Sequence, residues 1–108
     1  MYSLYQQLKD KDFGEMKAKD FEDLVCSILG FHGVLKRQVP VKNRGDGHKG
    51  RVDLVLETPK EKIGIEIDRK IPRKKSVFKL MQLEVDRRFL ITRSPFSMKE
   101  LCTPSANN

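Results

Sequence analysis

No stretch of this chain approaches the ~20 consecutive apolar residues of a membrane span, and residues 1–10 hold no apolar core of a secretory signal. The expectation is a soluble, cytoplasmic protein with no membrane partner. Cysteine is scarce. Cys26 and Cys102 form neither a metal-ligand spacing nor a disulfide framework, which leaves reduced thiols without a chemical task. There is no internal repeat, no low-complexity block and no dividing linker, so the 108 residues form one domain. Acid is the deficient charge, with 15 Asp and Glu against 22 Lys and Arg and a net charge of +7. Such a balance favours a polyanionic partner, nucleic acid first, over an acidic small substrate or small-molecule cofactor.

With acids scarce, their placement in apolar surroundings matters. In Ile63-Gly64-Ile65-Glu66-Ile67-Asp68 the isoleucines alternate with the acids, and a strand's period of two sends them to opposite faces. The run Arg51 to Glu57 is rich in β-formers and carries Asp53 near its start; only the turn-like Thr58-Pro59-Lys60-Glu61 separates the two runs. They are predicted to pair as an antiparallel hairpin that brings Asp53 beside Glu66. Carboxylates so close repel one another unless a proton or cation intervenes, and a hard divalent cation is the simplest remedy. The competing reading is a surface charge ladder with Arg51, Lys62, Arg69 and Lys70 on a sheet covered on one side only.

Along the chain, Leu4, Tyr5 and Leu8 share one face of a short first helix, followed by a polar break over Asp10 to Gly14. Phe21, Leu24, Val25, Ile28 and Leu29 then follow helical spacing until Gly30 and Gly33. Glu22 borders this stripe, either facing the acids of the hairpin or serving as a first-turn acid favoured by the helix dipole. Val34 to Val39 is predicted as a strand closed by Pro40. After the hairpin, Ser76 is the predicted N-cap of a helix carrying Val77, Leu80, Met81 and Glu84 on one side, with Leu83 flanking. Arg88 to Thr92 is a last strand, parallel to that of Glu66 because a helical crossover joins them. Ser97-Met98-Lys99-Glu100 has the capping-box spacing of one helical turn, and residues 103–108 are expected to fray. The result is an α/β (α+β) domain with an αβββαβ order, a mixed four-stranded sheet flanked by helices, a core over about residues 18–92 and an extra N-terminal helix.

Two basic segments flank the acids. The glycine-rich loop from Val41 to Gly50 carries Lys42, Arg44, His48 and Lys49, and Arg69, Lys70, Arg73, Lys74 and Lys75 follow the hairpin. Both suit a phosphate backbone, held without reading base edges; both also fit ordinary solvated turns. Asp46 is read as an Asx-turn acid or a spare cation ligand.

The element order with Glu22 on the first core helix, Asp53 on the second strand and Glu66-Ile67-Asp68 on the third resembles the PD-(D/E)XK nuclease superfamily. The Phe21-Glu22-Asp23-Leu24-Val25 helix and the glycine-rich lead into Asp53 are most similar to Mrr-type restriction endonucleases and archaeal Holliday-junction resolvases. That resemblance implies hydrolysis of DNA phosphodiesters with Mg²⁺ (Mn²⁺ as substitute), with Asp53 and Glu66 as metal ligands and Glu22 as an auxiliary one. One position departs from the pattern. The family places a lysine two residues after the Glu, where this chain has Asp68. Lys70 on a continuing strand, or Lys74 or Lys75 from the helix, would replace it; alternatively Asp68 is a further metal ligand and a second Mg²⁺ supplies the charge; or catalysis is lost and the fold only binds DNA or regulates a partner. With no appended reading domain, a structure-directed or weakly specific endonuclease of a phage or mobile element is expected. Tyr2, Leu4, Tyr5 and Leu8 lack a place in such a core, so they are predicted to form a homodimer interface unless they pack back on their own subunit.

Overall fold

The computed structural model describes residues 1–102, and the predicted frayed tail lies outside them. The elements are α1 (Tyr2–Leu8), α2 (Ala18–Leu29), β1 (Val34–Val41), β2 (Gly50–Glu57), β3 (Lys62–Asp68), α3 (Lys74–Met81), β4 (Arg87–Arg93) and β5 (Phe96–Leu101). The strands form one mixed sheet in the order β1-β2-β3-β4-β5, five strands where four were expected, because the chain turns back after β4 and adds β5 at the edge. Only β3 and β4 are parallel, joined by the α3 crossover, and every other neighbouring pair is antiparallel. Helices flank this sheet, an α+β architecture.

The alternation in β3 sorts as the period of two requires. Ile63 and Ile65 enter the larger core with Leu54, Leu56, Phe89 and Ile91, under Phe21, Val25, Ile28 and Leu29 of α2. Completely burying a side chain such as Phe21 or Leu29 contributes roughly 1.5–3 kcal/mol, so this side supplies most of the apolar driving force. Glu66 and Asp68 turn the other way, toward α3, over a small cluster of Val41, Val52, Leu80 and Leu90. That face is closed. Gly64 provides no spare room there, because a Cβ on it would stand 2.8 Å from Leu83 Cδ1 and 3.2 Å from Leu80 Cδ2. The missing side chain is what lets α3 lie against the strand.

Four local expectations are corrected. Leu4 and Leu8 of α1 are buried in the larger core of their own subunit and Tyr5 stacks near Phe96, with centroids 6.4 Å apart. α1 therefore packs as an extra cover on its own subunit through Leu4 and Leu8, while Tyr2 and Tyr5 stay exposed, at 75% and 40%. Ser97 to Glu100 is a strand instead of a helical turn, since Phe96 is buried and Met98 packs behind it at strand spacing. β1 continues through Pro40 to Val41, which its edge position permits. Finally, α3 starts at Lys74 with Arg73 as N-cap. Ser76 lies inside the first turn, facing the sheet.

Candidate active site

Leu54 pairs with Ile65 in the β2–β3 ladder, which sets Asp53 against Glu66 on the α3 side. Asp53 is half-buried and its Oδ2 accepts the Ile67 N–H at 2.8 Å. Glu66 lies deeper, 1% exposed, and neither of its carboxylate oxygens has a hydrogen-bond partner of normal geometry among the described residues. A buried ionised carboxylate left in this condition is costly. Burial, and then the neighbouring Asp53 carboxylate, push the Glu66 carboxyl up to about 9 against the opposing pull of Lys79. Its surroundings thus favour the protonated form of Glu66.

Lys79 is the residue that the sequence reading missed. It comes from the last turn of α3, its side chain is only 13% exposed, its ammonium forms an ion pair with Glu66, and it donates to the Arg51 carbonyl at 2.9 Å. Helical spacing held the signal: Ser76 and Lys79 are three residues apart and share a face, and Ser76 donates from that face to Asp68 at 2.9 Å. The candidates offered instead fare differently. β3 ends at Asp68, so strand alternation does not carry Lys70 onto the acid face; it is exposed on the turn that follows. Lys74 and Lys75 are exposed at the start of α3.

The other two predicted ligands are occupied with protein partners. Asp68, 3% exposed, accepts Ser76 Oγ, the Arg73 backbone N–H at 2.9 Å and Arg73 Nε at 2.8 Å. It works as the anchor of the α3 N-terminus, a capping role played by a residue outside the helix. Glu22 is paired with the Arg37 guanidinium and with Gln38 Nε2 at 3.2 Å, while Arg37 also holds Asp23 at 2.8 Å. Consistent with this, no group of three or more His, Cys, Asp or Glu among the described residues is arranged to hold a metal ion. Of the four predicted ligands, Asp53 and Glu66 are the two without a guanidinium partner among the described residues. That pair still fits Mg²⁺, which commonly takes one or two carboxylates and fills its remaining positions with water and substrate phosphate, and the observation in favour is that the buried Glu66 carboxylate, with Lys79 as its ion-pair partner, has no hydrogen bond of normal geometry among the described residues.

Two cavities adjoin the acids. The larger, about 630 Å³, is lined by Glu22, Asp53 and Asp68 together with Arg69, Lys70 and Arg73. The smaller, about 300 Å³, lies between the β1–β2 loop and α3. Arg44 and Lys49 reach it from the loop; Lys42, His48 and Lys74 are exposed and line neither cavity. The loop is folded back on the helix. Gln82 accepts the Asn43 N–H at 3.0 Å and returns a hydrogen bond to the Asn43 carbonyl, and Gly45 lies beside the Phe78 side chain. Asp46 makes the Asx turn expected of a loop acid, accepting the His48 N–H at 3.0 Å and pairing with Arg44. Cys26 and Cys102 are both free, and no helix among the described residues is long and apolar enough to cross a membrane.

A pair of adjoining carboxylates, a lysine from the covering helix and a cationic surround can together hold a divalent cation and a phosphate. No family model, curated protein or solved structure matches the chain.

Proposed function

We propose that the protein is a Mg²⁺-dependent endonuclease of the PD-(D/E)XK kind, acting on DNA with structural or weak sequence preference. The observation that carries this reading is Glu66: a carboxylate buried beside Asp53 and ion-paired with Lys79, with no hydrogen bond of normal geometry among the described residues. Asp53 and Glu66 hold the cation. Bound there, it supplies polarisation of the phosphate and a lowered pKa for the attacking water. Lys79 takes the part of the lysine that the family pattern places where Asp68 stands, supplying an ammonium where charge develops on the phosphoryl group. Asp68 is a positioning residue, since it fixes the helix that carries Lys79. Arg69, Lys70 and Arg73 hold the flanking phosphates and leave the base edges unread.

Supercoiled plasmid incubated with Mg²⁺, with Mn²⁺ and with EDTA tests the proposal. Nicking in both metals, none in EDTA, and none with Asp53→Ala or Glu66→Gln is the expected result; equal activity in the parent and both variants sinks it. One acid pair per chain makes a nick the expected first product, and concerted double-strand cleavage would require a homodimer that brings two such pairs together. A second reading, a non-catalytic DNA-binding or partner-regulating protein, draws on the Lys79–Glu66 ion pair, which occupies the carboxylate that the cation needs. Retained DNA binding with no cleavage in either metal would select it.

A further inference from the structure

The smaller cavity has a composition unlike the rest of the surface. Its walls are Arg44, Lys49, Arg51, Arg73, Lys75 and Lys79, and no acid lines it. Three of these cations have carboxylate partners outside the lining, Asp46, Asp68 and Glu66, while among the described residues no hydrogen bond or ion pair engages the Lys49, Arg51 or Lys75 side chain. Like charges gathered in a concavity repel and destabilise the fold unless an anion enters. The walls are also held in place. The loop that supplies Arg44 and Lys49 is clasped to α3 through Gln82 and Asn43, and Lys79 is fixed to the Arg51 carbonyl. Gly50 leaves the floor open, since a Cβ there would stand 2.8 Å from Arg44 Cβ and 3.0 Å from Lys79 Cδ.

The lining also says what kind of anion fits. It contains no aromatic or apolar side chain, so a stacked base gains nothing there. Guanidinium and ammonium groups converging from a loop, a strand and a helix favour a compact, multiply charged group with several acceptor oxygens. A terminal phosphate carries close to two charges at neutral pH and three such oxygens, against one charge for a phosphodiester in a continuous backbone. Lys79 forms a wall of this cavity and also contacts Glu66, so a strand end seated here lies beside the acid pair. We infer that this pocket binds the terminal phosphate of a nucleic-acid strand, which makes the protein one that prefers phosphorylated ends. The inference rests on the nuclease reading for the identity of the strand and adds the position from which it is measured.

Binding in EDTA tests it apart from cleavage. Fluorescence anisotropy with one short single-stranded oligonucleotide in 5′-phosphorylated, 3′-phosphorylated and hydroxyl-ended forms should show about tenfold tighter binding of one phosphorylated form, from the added charge-assisted contacts. Lys49→Ala/Lys75→Ala, two exposed positions whose replacement spares the core, should abolish the preference. Lys42→Ala, a loop cation outside the cavity, should weaken all three forms alike and keep it. Equal affinities for the three forms, or a preference that survives the double substitution, overturns the inference; equal affinities with competition by inorganic phosphate would assign the pocket to the free anion instead. Because no metal is present, absence of nicking in the plasmid assay leaves this result standing, and loss of end preference leaves the nuclease reading standing.

Discussion

The two faces of the sheet are built by opposite rules. On the α1 and α2 side the buried residues are apolar, and on the α3 side lie all of the buried polar or charged residues among those described: Glu66, Asp68 and Ser76, with Arg88 and Thr92 on β4. Arg88 is spent on structure, donating to the Leu80 carbonyl at 2.8 Å and the Leu83 carbonyl at 2.6 Å, where it ties down the end of α3. Asp68 ties down the start. Between these two anchors sits Glu66, as buried as Asp68 and two residues from it, yet without the hydrogen bonds that Asp68 enjoys. Stability is concentrated on one face, and the other is organised around a buried carboxylate that has an ion pair with Lys79 but no hydrogen bond of normal geometry among the described residues. Such a group is a candidate for chemistry because packing gives no reason for it.

The strongest way to break this contrast is through activity. Lys79→Ala should lower nicking by ~10²–10³-fold if it stabilises transition-state charge, whereas Lys70→Ala should change the rate only a little; comparable rates for parent and Lys79→Ala would return the role to the turn after β3. Stability separates the faces next. Phe21→Ala, on the apolar side, should cost ~3–5 kcal/mol in urea unfolding, and Glu66→Gln should leave stability unchanged or raised, since it removes a buried carboxyl that burial disfavours as an anion. A large loss with Glu66→Gln would mean that Glu66 is a structural partner of Lys79. Asp68→Ala falls between them, at ~1–3 kcal/mol for the unsatisfied Ser76 and Arg73 donors, and its activity should fall through displacement of α3 while the Mg²⁺ dependence of what remains stays that of the parent.

The smallest effect is in pH. Glu66 titrates near 4.5 when the chain is unfolded and is pushed up to about 9 in the fold, so over this window the folded chain holds a proton that the unfolded chain releases. Its contribution to stability is complete below the lower value and is lost as pH rises through the upper one. Unfolding midpoints measured from pH 5 to pH 9 in EDTA should decline more for the parent than for Glu66→Gln, and Mg²⁺ should restore the parent at the alkaline end by replacing the proton. Parallel curves for the two proteins would show that Glu66 is ionised throughout.

Local patterning made much of this legible. The alternation Ile63, Ile65, Ile67 against Glu66 and Asp68 was enough to separate the faces, the short turn was enough to place Asp53 opposite Glu66, and the long interval after Asp68 made β4 parallel. What stayed hidden depended on contacts across the fold. Lys79, read on its own helix, is a polar residue beside Leu80; it is buried only because a carboxylate on another element waits beneath it. Asp68 resembled a ligand by position, and its role as a helix anchor became visible only because the α3 N-cap falls at Arg73, three residues before Ser76. The capping-box spacing of Ser97 to Glu100 gave way to the pull of Phe96 and Met98 toward the core, an instance of tertiary packing overriding local preference.

Gly64 also acts as a gauge. The absent Cβ sets the clearance between strand and helix at the Leu80 and Leu83 end, and Lys79 adjoins that contact. Any side chain at position 64 would act as a shim, tilting the helix and retracting the ammonium from Glu66 without altering a single charged residue, so the tuning of the acid pair is written partly in an atom that the chain does not possess.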